Sequence, residues 1–519
     1  MDIQLKKEMI AINETLAREN TQVLVQSDII VPDVKSDMAK VLQIDSQVMT
    51  ESVAALDGAA DVSGKVSLTI LYVPEGDTKP VCSICSAIPF TARVENKNIS
   101  ANSKCIVSAQ MSNVEFSMLN SRKLSVKAVA ELNTRCIREN NVELVCDVSS
   151  EIPVETHKDE FWIYNLVYAG HEKIGIRETL DFPAGKPSAA TVLKADAKIN
   201  NSEVRLVTGK VVIKGSVEIC TLYVSEDNTI EYMEHEIPFT EVLDAEGVSE
   251  GCMCDLETEI GQVDFSLRAD SDGDMRLLDI NILADAGISV SQNTGMSAVD
   301  DCFCSEYELR CETVPLEADI LAGTGKAQEA LRASVSLPEN SPEIVSVYNL
   351  IAKPYISGVE IGKNRAIVRG SVDCYVLYLS ASPTMPISTQ KMQPEFEIPV
   401  EIDGIDEGMD CDINIDIAHQ SYNITMNGEI EVRLSVVIEA KAIKSAGMQL
   451  ISNAYIDEEA PVDLRRGIVI YFVQKGDTLW KIAKKYRVPM DMLIKINRLE
   501  NPDLLNVGQR LLIPNTVRA

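Results

Sequence analysis

Several stretches of this chain carry residue types that could do chemistry, and most of them fail on spacing. Gly323-Thr324-Gly325-Lys326 offers the lysine of a phosphate loop, but such a loop needs a glycine where Ile320 stands and a hydroxyl where Ala327 stands. Asp270-Ser271-Asp272-Gly273-Asp274 begins like a calcium loop, yet its sixth position is Met275 instead of glycine and its twelfth is Asn281 instead of glutamate. It reads as a hairpin turn, lengthened in the second of three repeats described below. Cys82 and Cys85 form a CxxC pair, and Cys252 with Cys254 and Cys302 with Cys304 form CxC pairs, none with a partner pair at zinc spacing. His157, His171, His235 and His419 fall in neither an HExxH nor any arrangement with a nucleophile elbow. The expectation is a chain that is not an enzyme, with no catalytic residue, no metal and no cofactor.

What remains is recognition, and it lies at the C-terminal end. Residues 468–473 alternate β-branched and aromatic side chains and read as a short strand closed by a turn at Gly476. Asp477 is placed to cap a helix whose apolar positions Leu479, Ile482, Ala483 and Tyr486 follow helical spacing, and Pro489 ends it. A second helix carries Met492, Leu493 and Ile496 and stops near Asn497; Gly508 then turns the chain into a closing strand at 510–513. Trp480 follows Leu479 on the first helix. A module of this size has little core to spare, so Trp480 is expected in it.

This βααβ stretch resembles the LysM domain in Gly476-Asp477-Thr478-Leu479, Asn497, Asn501-Pro502-Asp503, Val507-Gly508-Gln509 and Leu511-Leu512-Ile513-Pro514. The resemblance implies a ligand or partner groove with Gly476, Asp477, Thr478 and Leu479 on one wall and Pro502, Asp503, Leu504 and Leu505 on the other. LysM domains bind N-acetylglucosamine polymers there. The Tyr-Pro usual before the last glycine is Asn506-Val507 in this chain.

The elements before the module repeat. Taking Pro32, Pro183 and Pro338 as origins, nine residues on stand Val41, Val192 and Val347; thirty-two on stand Gly64, Gly215 and Gly370; thirty-nine on stand Leu71-Tyr72, Leu222-Tyr223 and Leu377-Tyr378. Ile88-Pro89, Ile237-Pro238 and Ile398-Pro399 follow after loops of unequal length. Segments 65–73, 216–224 and 371–379 are rich in Val, Ile, Thr and Tyr, and 124–132 and 430–438 show period-two apolar patterns. A period of about 150 residues gives each copy room for its own core, so the copies are expected as separate beads. The expected fold is mainly β: three tandem β-rich domains, sandwich or barrel-like, at 1–150, 151–300 and 301–444, an acidic linker at 445–467 and the module at 468–514.

The three copies resemble the SPOCS domain of sporulation proteins in endospore-forming bacteria. Three such units followed by LysM imply a coat morphogenetic adaptor of the mother cell, at the forespore surface. The implied partners are stage IV sporulation protein A, a coat scaffold ATPase, and other coat proteins. The alternative is a protein that binds peptidoglycan or another N-acetylglucosamine glycan at the cortex or cell wall.

Charge and cysteine usage favour the first of these. The net charge is −31, yet residues 469–519 hold nine Lys and Arg against four Asp and Glu, which leaves +5 on the module and −36 on the rest. An acidic body is repelled by nucleic acid and by anionic membrane. Lys481, Lys484, Lys485 and Lys495 form either the solvated faces of two helices or a surface that steers an acidic partner. The N-terminus lacks the apolar core of a signal peptide, no apolar run approaches the roughly 20 residues of a membrane span, and thirteen cysteines read as reduced, mostly buried thiols, all of which points to the cytosol.

Overall fold

A computed structural model describes residues 3–337, 343–425, 428–461 and 467–514. The first unit contains β1 (Ile3–Ile30), β2 (Met38–Leu56), β3 (Ala59–Pro74), β4 (Cys82–Glu95), β5 (Lys104–Asn120) and β6 (Lys123–Ser150). The second contains β7 (Val154–Asp181), β8 (Ala189–Val207), β9 (Lys210–Ser225), β10 (Ile230–Asp244), β11 (Met253–Ala269) and β12 (Met275–Cys304). The third contains β13 (Tyr307–Val335), β14 (Ile344–Gly362), β15 (Arg365–Ser380), β16 (Ile387–Met392), β17 (Glu395–Glu401), β18 (Asp410–Ile424) and β19 (Ile430–Pro461). The module adds β20 (Ile468–Phe472), α1 (Leu479–Tyr486), α2 (Met490–Asn497) and β21 (Arg510–Pro514). The protein is mainly β, with three β units and a small βααβ module.

Each unit is a sandwich of two antiparallel sheets. In the first, β1-β6-β5 faces β2-β3-β4; in the second, β11-β12-β7 faces β10-β9-β8; in the third, β13-β19-β18 faces β14-β15 with β16 and β17 both on β15. Hairpins set the register. The turns before β3, β9 and β15 each have two residues, and their second residue is Gly58, Gly209 or Asn364 with φ of 83°, 72° and 57°, the left-handed conformation that these types tolerate. Period-two burial then fills the sandwich. Val62, Val66, Leu68, Ile70 and Tyr72 of β3 all enter the first core.

The repeated residues explain themselves in this frame. Gly64, Gly215 and Gly370 lie opposite Phe90, Phe239 and Phe396 across the ladder. This corrects one marker: Ile398-Pro399 follows its phenylalanine, whereas Ile88-Pro89 and Ile237-Pro238 precede theirs, so the third Ile-Pro is not equivalent to the other two. Tyr72 Oη donates to the Ser36 carbonyl at 3.0 Å and Tyr223 Oη to the Pro187 carbonyl at 3.1 Å, four residues past each origin proline. Pro338 itself lies outside the described residues. The turn at 270–274 is five residues long, as is 425–429 in the third unit, of which 426–427 lie outside the described residues; the short turn is that of the first unit.

The units are not beads. Beside each tyrosine, which points into its own core, Leu71, Leu222 and Leu377 point outward into one shared apolar cluster with Leu193 and Tyr348. Equivalent positions of three copies therefore converge on a pseudo-threefold axis. One polar node sits there. Lys194, its side chain 2% exposed, pairs with Asp196 at 2.9 Å and with Asp45 of the first unit. Asn349 of the third unit donates to Asp196 at 2.9 Å, and Gln43 to Asp45 at 2.6 Å. Burial alone would lower the Lys194 pKa; the Asp196 and Asp45 carboxylates outweigh it and hold the ammonium charged.

Past the sandwiches, the pairs β1/β6, β7/β12 and β13/β19 run on as two-stranded ribbons. Ile12, Ile163 and Ala318, each twenty residues before its origin proline, pack together with Leu144, Ala298 and Leu450. Next, Val145, Val299 and Ile451 form a further cluster. The segment 445–461, expected as linker, is thus the outer half of β19, with Leu450, Ile451 and Ala454 buried between ribbons; residues 462–466 lie outside the described residues. Cys105 and Cys136, cross-strand neighbours of β5 and β6, form a disulfide, which corrects the expectation that all thirteen cysteines are thiols.

Candidate functional site

The module's two loops take their shape from local hydrogen bonds. Gly476 has φ of 88°, where a side chain would be strained. Asp477 accepts from the Gln474 backbone N–H and the Tyr471 hydroxyl, both at 2.7 Å, and these bonds hold its carboxyl below the usual range. Its job is to clamp the turn. The helix cap is Thr478 instead, whose Oγ1 accepts from Lys481 N at 3.2 Å. Helix α1 ends on left-handed Arg487, and Pro489 caps α2.

On the other wall, Asn501 Oδ1 accepts from Asp503 N at 3.0 Å in an Asx turn. Asn497 ties α2 to β21, accepting from Leu512 N at 2.6 Å and donating to the Leu512 and Leu493 carbonyls at 2.8 and 2.9 Å. Leu479 is buried in the module core and Leu505 packs against it. Asp477 and Pro502 are half-buried, while Gly476, Thr478, Asp503 and Leu504 are exposed. The two loops present acceptors, a hydroxyl and an apolar Leu504 side chain to solvent. That set can hydrogen-bond and pack; it contains no base paired with a nucleophile.

One face of α1 is occupied by the chain itself. Trp480, Lys484 and Arg487 stand four and three residues apart, hence on one side of the helix. The Trp480 indole Nε1 donates to Asp301 Oδ2 at 2.8 Å, and its ring meets Phe303 edge-on at 5.2 Å and His157 at 5.1 Å. Lys484 Nζ donates to Asp301 Oδ1 at 2.5 Å. Arg487 donates to the Tyr307 carbonyl at 2.8 Å and the Cys304 carbonyl at 3.4 Å, and pairs with Glu308. The module therefore sits on the junction of the second and third units, at the end of their ribbons.

This placement bears on two expectations. Trp480 is buried, but against the body as well as within the module. The four lysines do not form one patch: Lys484 faces Asp301, Lys481 donates to the Gly476 carbonyl at 3.2 Å, Lys485 lies over the Tyr471 ring at 5.4 Å, and Lys495 is exposed on α2. Asp301, Phe303, Glu308 and Arg487 were not legible as site residues. The signal that could have found them is the charge contrast itself, because the acidic surface nearest a +5 module is its own −36 body.

Comparison with known proteins fits this geometry. The model of the family described as "SipL, SPOCS domain" matches residues 37–119, 188–268 and 343–425, beginning five residues past each origin proline, and the LysM domain model matches 471–514. The chain is 57% identical to the Spore coat assembly protein ExsA of Bacillus cereus over 47 residues, 9% of this chain and 7% of that protein. It is 49% identical to SpoIVD-associated factor A of Bacillus subtilis over 47 residues, 9% of this chain and 12% of that one. The Secreted LysM effector ECP6 of Passalora fulva is 46% identical over 44 residues, 8% of this chain and 19% of that protein. Each match is about the size of the module and leaves most of both proteins uncovered. No solved structure matches. The chain thus carries three SPOCS domains in one register, followed by a C-terminal LysM domain.

Proposed function

We propose that this protein is a non-enzymatic spore coat adaptor that helps localise and encase coat around the forespore from the mother cell cytosol. In this reading the module recognises a coat scaffold, stage IV sporulation protein A, and the three-unit body offers surfaces to other coat proteins. The observation that carries it is the seating of α1 on Asp301, Phe303 and Glu308: the body holds the module in one orientation, with Gly476, Thr478, Asp503 and Leu504 of its two loops exposed. A framework that presents a recognition module is what an adaptor needs. The name of one relative, a spore coat assembly protein, supports the setting. Purified full-length chain and a chain ending at Pro461 are compared for binding to the purified scaffold; binding that survives loss of the module overturns the assignment.

A second reading rests on the open loops. Thr478, Asp503 and Leu504 stay exposed in the seated module, so a peptidoglycan or other N-acetylglucosamine glycan has access to the groove. Chito-oligosaccharide titration of the same full-length chain tests it.

A further inference from the structure

We propose that Cys302 and Cys311 are a redox-responsive pair whose disulfide locks the seat of the C-terminal module. Their Sγ atoms lie 3.2 Å apart, nine residues apart in sequence, inside the apolar cluster that joins the three ribbons. Cys302 stands two residues before the end of β12 and Cys311 four residues into β13, strands of different sheets with no ladder between them. The two-residue connection 305–306, the contact between the two thiols and packing join these backbones here.

The eight residues between the sulfurs are the platform itself. Phe303 packs on Trp480, the carbonyls of Cys304 and Tyr307 accept from Arg487, and Glu308 pairs with Arg487. Asp301, which accepts from both Trp480 and Lys484, directly precedes Cys302, whose N–H donates to the same carboxylate at 2.9 Å. A bond across the base of this loop constrains Phe303, Cys304, Tyr307 and Glu308 directly, and Asp301 through its neighbour Cys302. Cys311 is the half-buried member and the first to react: its hydrogen bond with Cys302 holds its pKa below the ordinary thiol range, while the same bond and burial push the Cys302 thiol up.

The oxidant is a low-molecular-weight disulfide such as oxidised glutathione. The Cys311 thiolate attacks one glutathione sulfur, forming a mixed disulfide and releasing one glutathione thiolate. Cys302 then loses its proton and attacks the Cys311 sulfur, which expels the second glutathione thiolate. Two thiol protons end on two glutathione molecules, and two electrons pass from the cysteines to the oxidant. Cys105 and Cys136 provide an internal reference because they are already joined.

The test equilibrates the full-length chain in glutathione buffers of graded potential, alkylates free thiols, and maps linked peptides by mass spectrometry. Amide hydrogen exchange of α1 is read in parallel. We expect a 302–311 linkage to appear as the buffer becomes oxidising, with α1 exchange slowed by about threefold or more. Cys311→Ser removes both effects while exchange in β15 is unchanged; Cys302→Ala serves the same purpose if that variant fails to fold. Free thiols at 302 and 311 in a buffer that keeps 105–136 joined overturn the proposal. So do a linkage that leaves α1 exchange unchanged, and redox-dependent exchange that persists in Cys311→Ser.

Discussion

The ring of Phe396 lies over Gly370 so closely that a methyl group on the glycine would meet the ring's Cζ at 2.5 Å. The same pairing recurs where Phe90 covers Gly64 and Phe239 covers Gly215, with would-be contacts of 2.7 and 2.9 Å. A main-chain carbonyl from the neighbouring strand closes the other side in each case. The glycine of the repeat is therefore there to admit an aromatic ring and a strand at once.

Alanine at Gly64, Gly215 or Gly370 should destabilise its own unit by about 1–3 kcal/mol, the usual penalty of overpacking. Gly175→Ala, where a methyl group meets nothing within 4 Å, should change stability by no more than about 0.5 kcal/mol. Hydrogen exchange resolved by unit checks both, with the loss confined to the unit that carries the substitution.

Lys194 holds the three units in register through charge. Lys194→Ala strands Asp45 and Asp196 beneath the shared cluster and should cost about 3–5 kcal/mol, whereas Lys194→Met combined with Asp45→Asn and Asp196→Asn should recover most of it. The folded pKa of Lys194 is raised above 10.5, so its contribution is complete below pH 10.5 and is lost as pH rises through the folded value. Denaturant midpoints of the variants at pH 7 and of the native chain in alkali measure these effects.

Glu259 works in the opposite direction. Burial, then the neighbouring Glu257 charge, pushes its carboxyl up to about 8 from 4.5. Protonation is favoured in the folded state, so the contribution of this one group to stability is greatest below pH 4.5 and declines as pH rises toward 8. Glu259→Gln should flatten that decline and stabilise the protein at pH 8 by about 1–3 kcal/mol, read from denaturant midpoints between pH 5 and 8.

Trp480→Ala removes a ring shared by module and body and should cost about 3–5 kcal/mol in module stability. Asp301→Asn is gentler, because it keeps the shape but weakens the bonds to Trp480 and Lys484. It should release the module without unfolding it, seen as a larger radius of gyration in small-angle scattering and an unchanged circular dichroism spectrum.

The repeat was legible because Gly, Leu and Tyr recur at fixed distances, and the strands because β-branched residues alternate. The closed arrangement of units was readable in principle from Leu71-Tyr72: adjacent apolar residues in a strand mean that both faces are covered, one by its own sandwich and one by neighbours. Lys194 gave no such sign, since its partner Asp45 is 149 residues away. The outer half of β19 was hidden by Asp457-Glu458-Glu459, whose acidity suggests a linker although Asp457 pairs with Arg310 at 2.6 Å. In the module, the elements and loops followed from local spacing. Its seat did not, because Asp301 and Trp480 are 179 residues apart and meet only in the fold.

The adaptor reading is tested most directly by titrating the full-length chain with stage IV sporulation protein A and, separately, with chito-oligosaccharide in the same calorimeter. The account predicts scaffold binding at least about tenfold tighter than glycan binding, a difference of about 1.4 kcal/mol, weakened by Leu504→Ala and made less salt-sensitive by charge reversal at Lys485 and Lys495. Micromolar glycan binding with no detectable scaffold binding would contradict it.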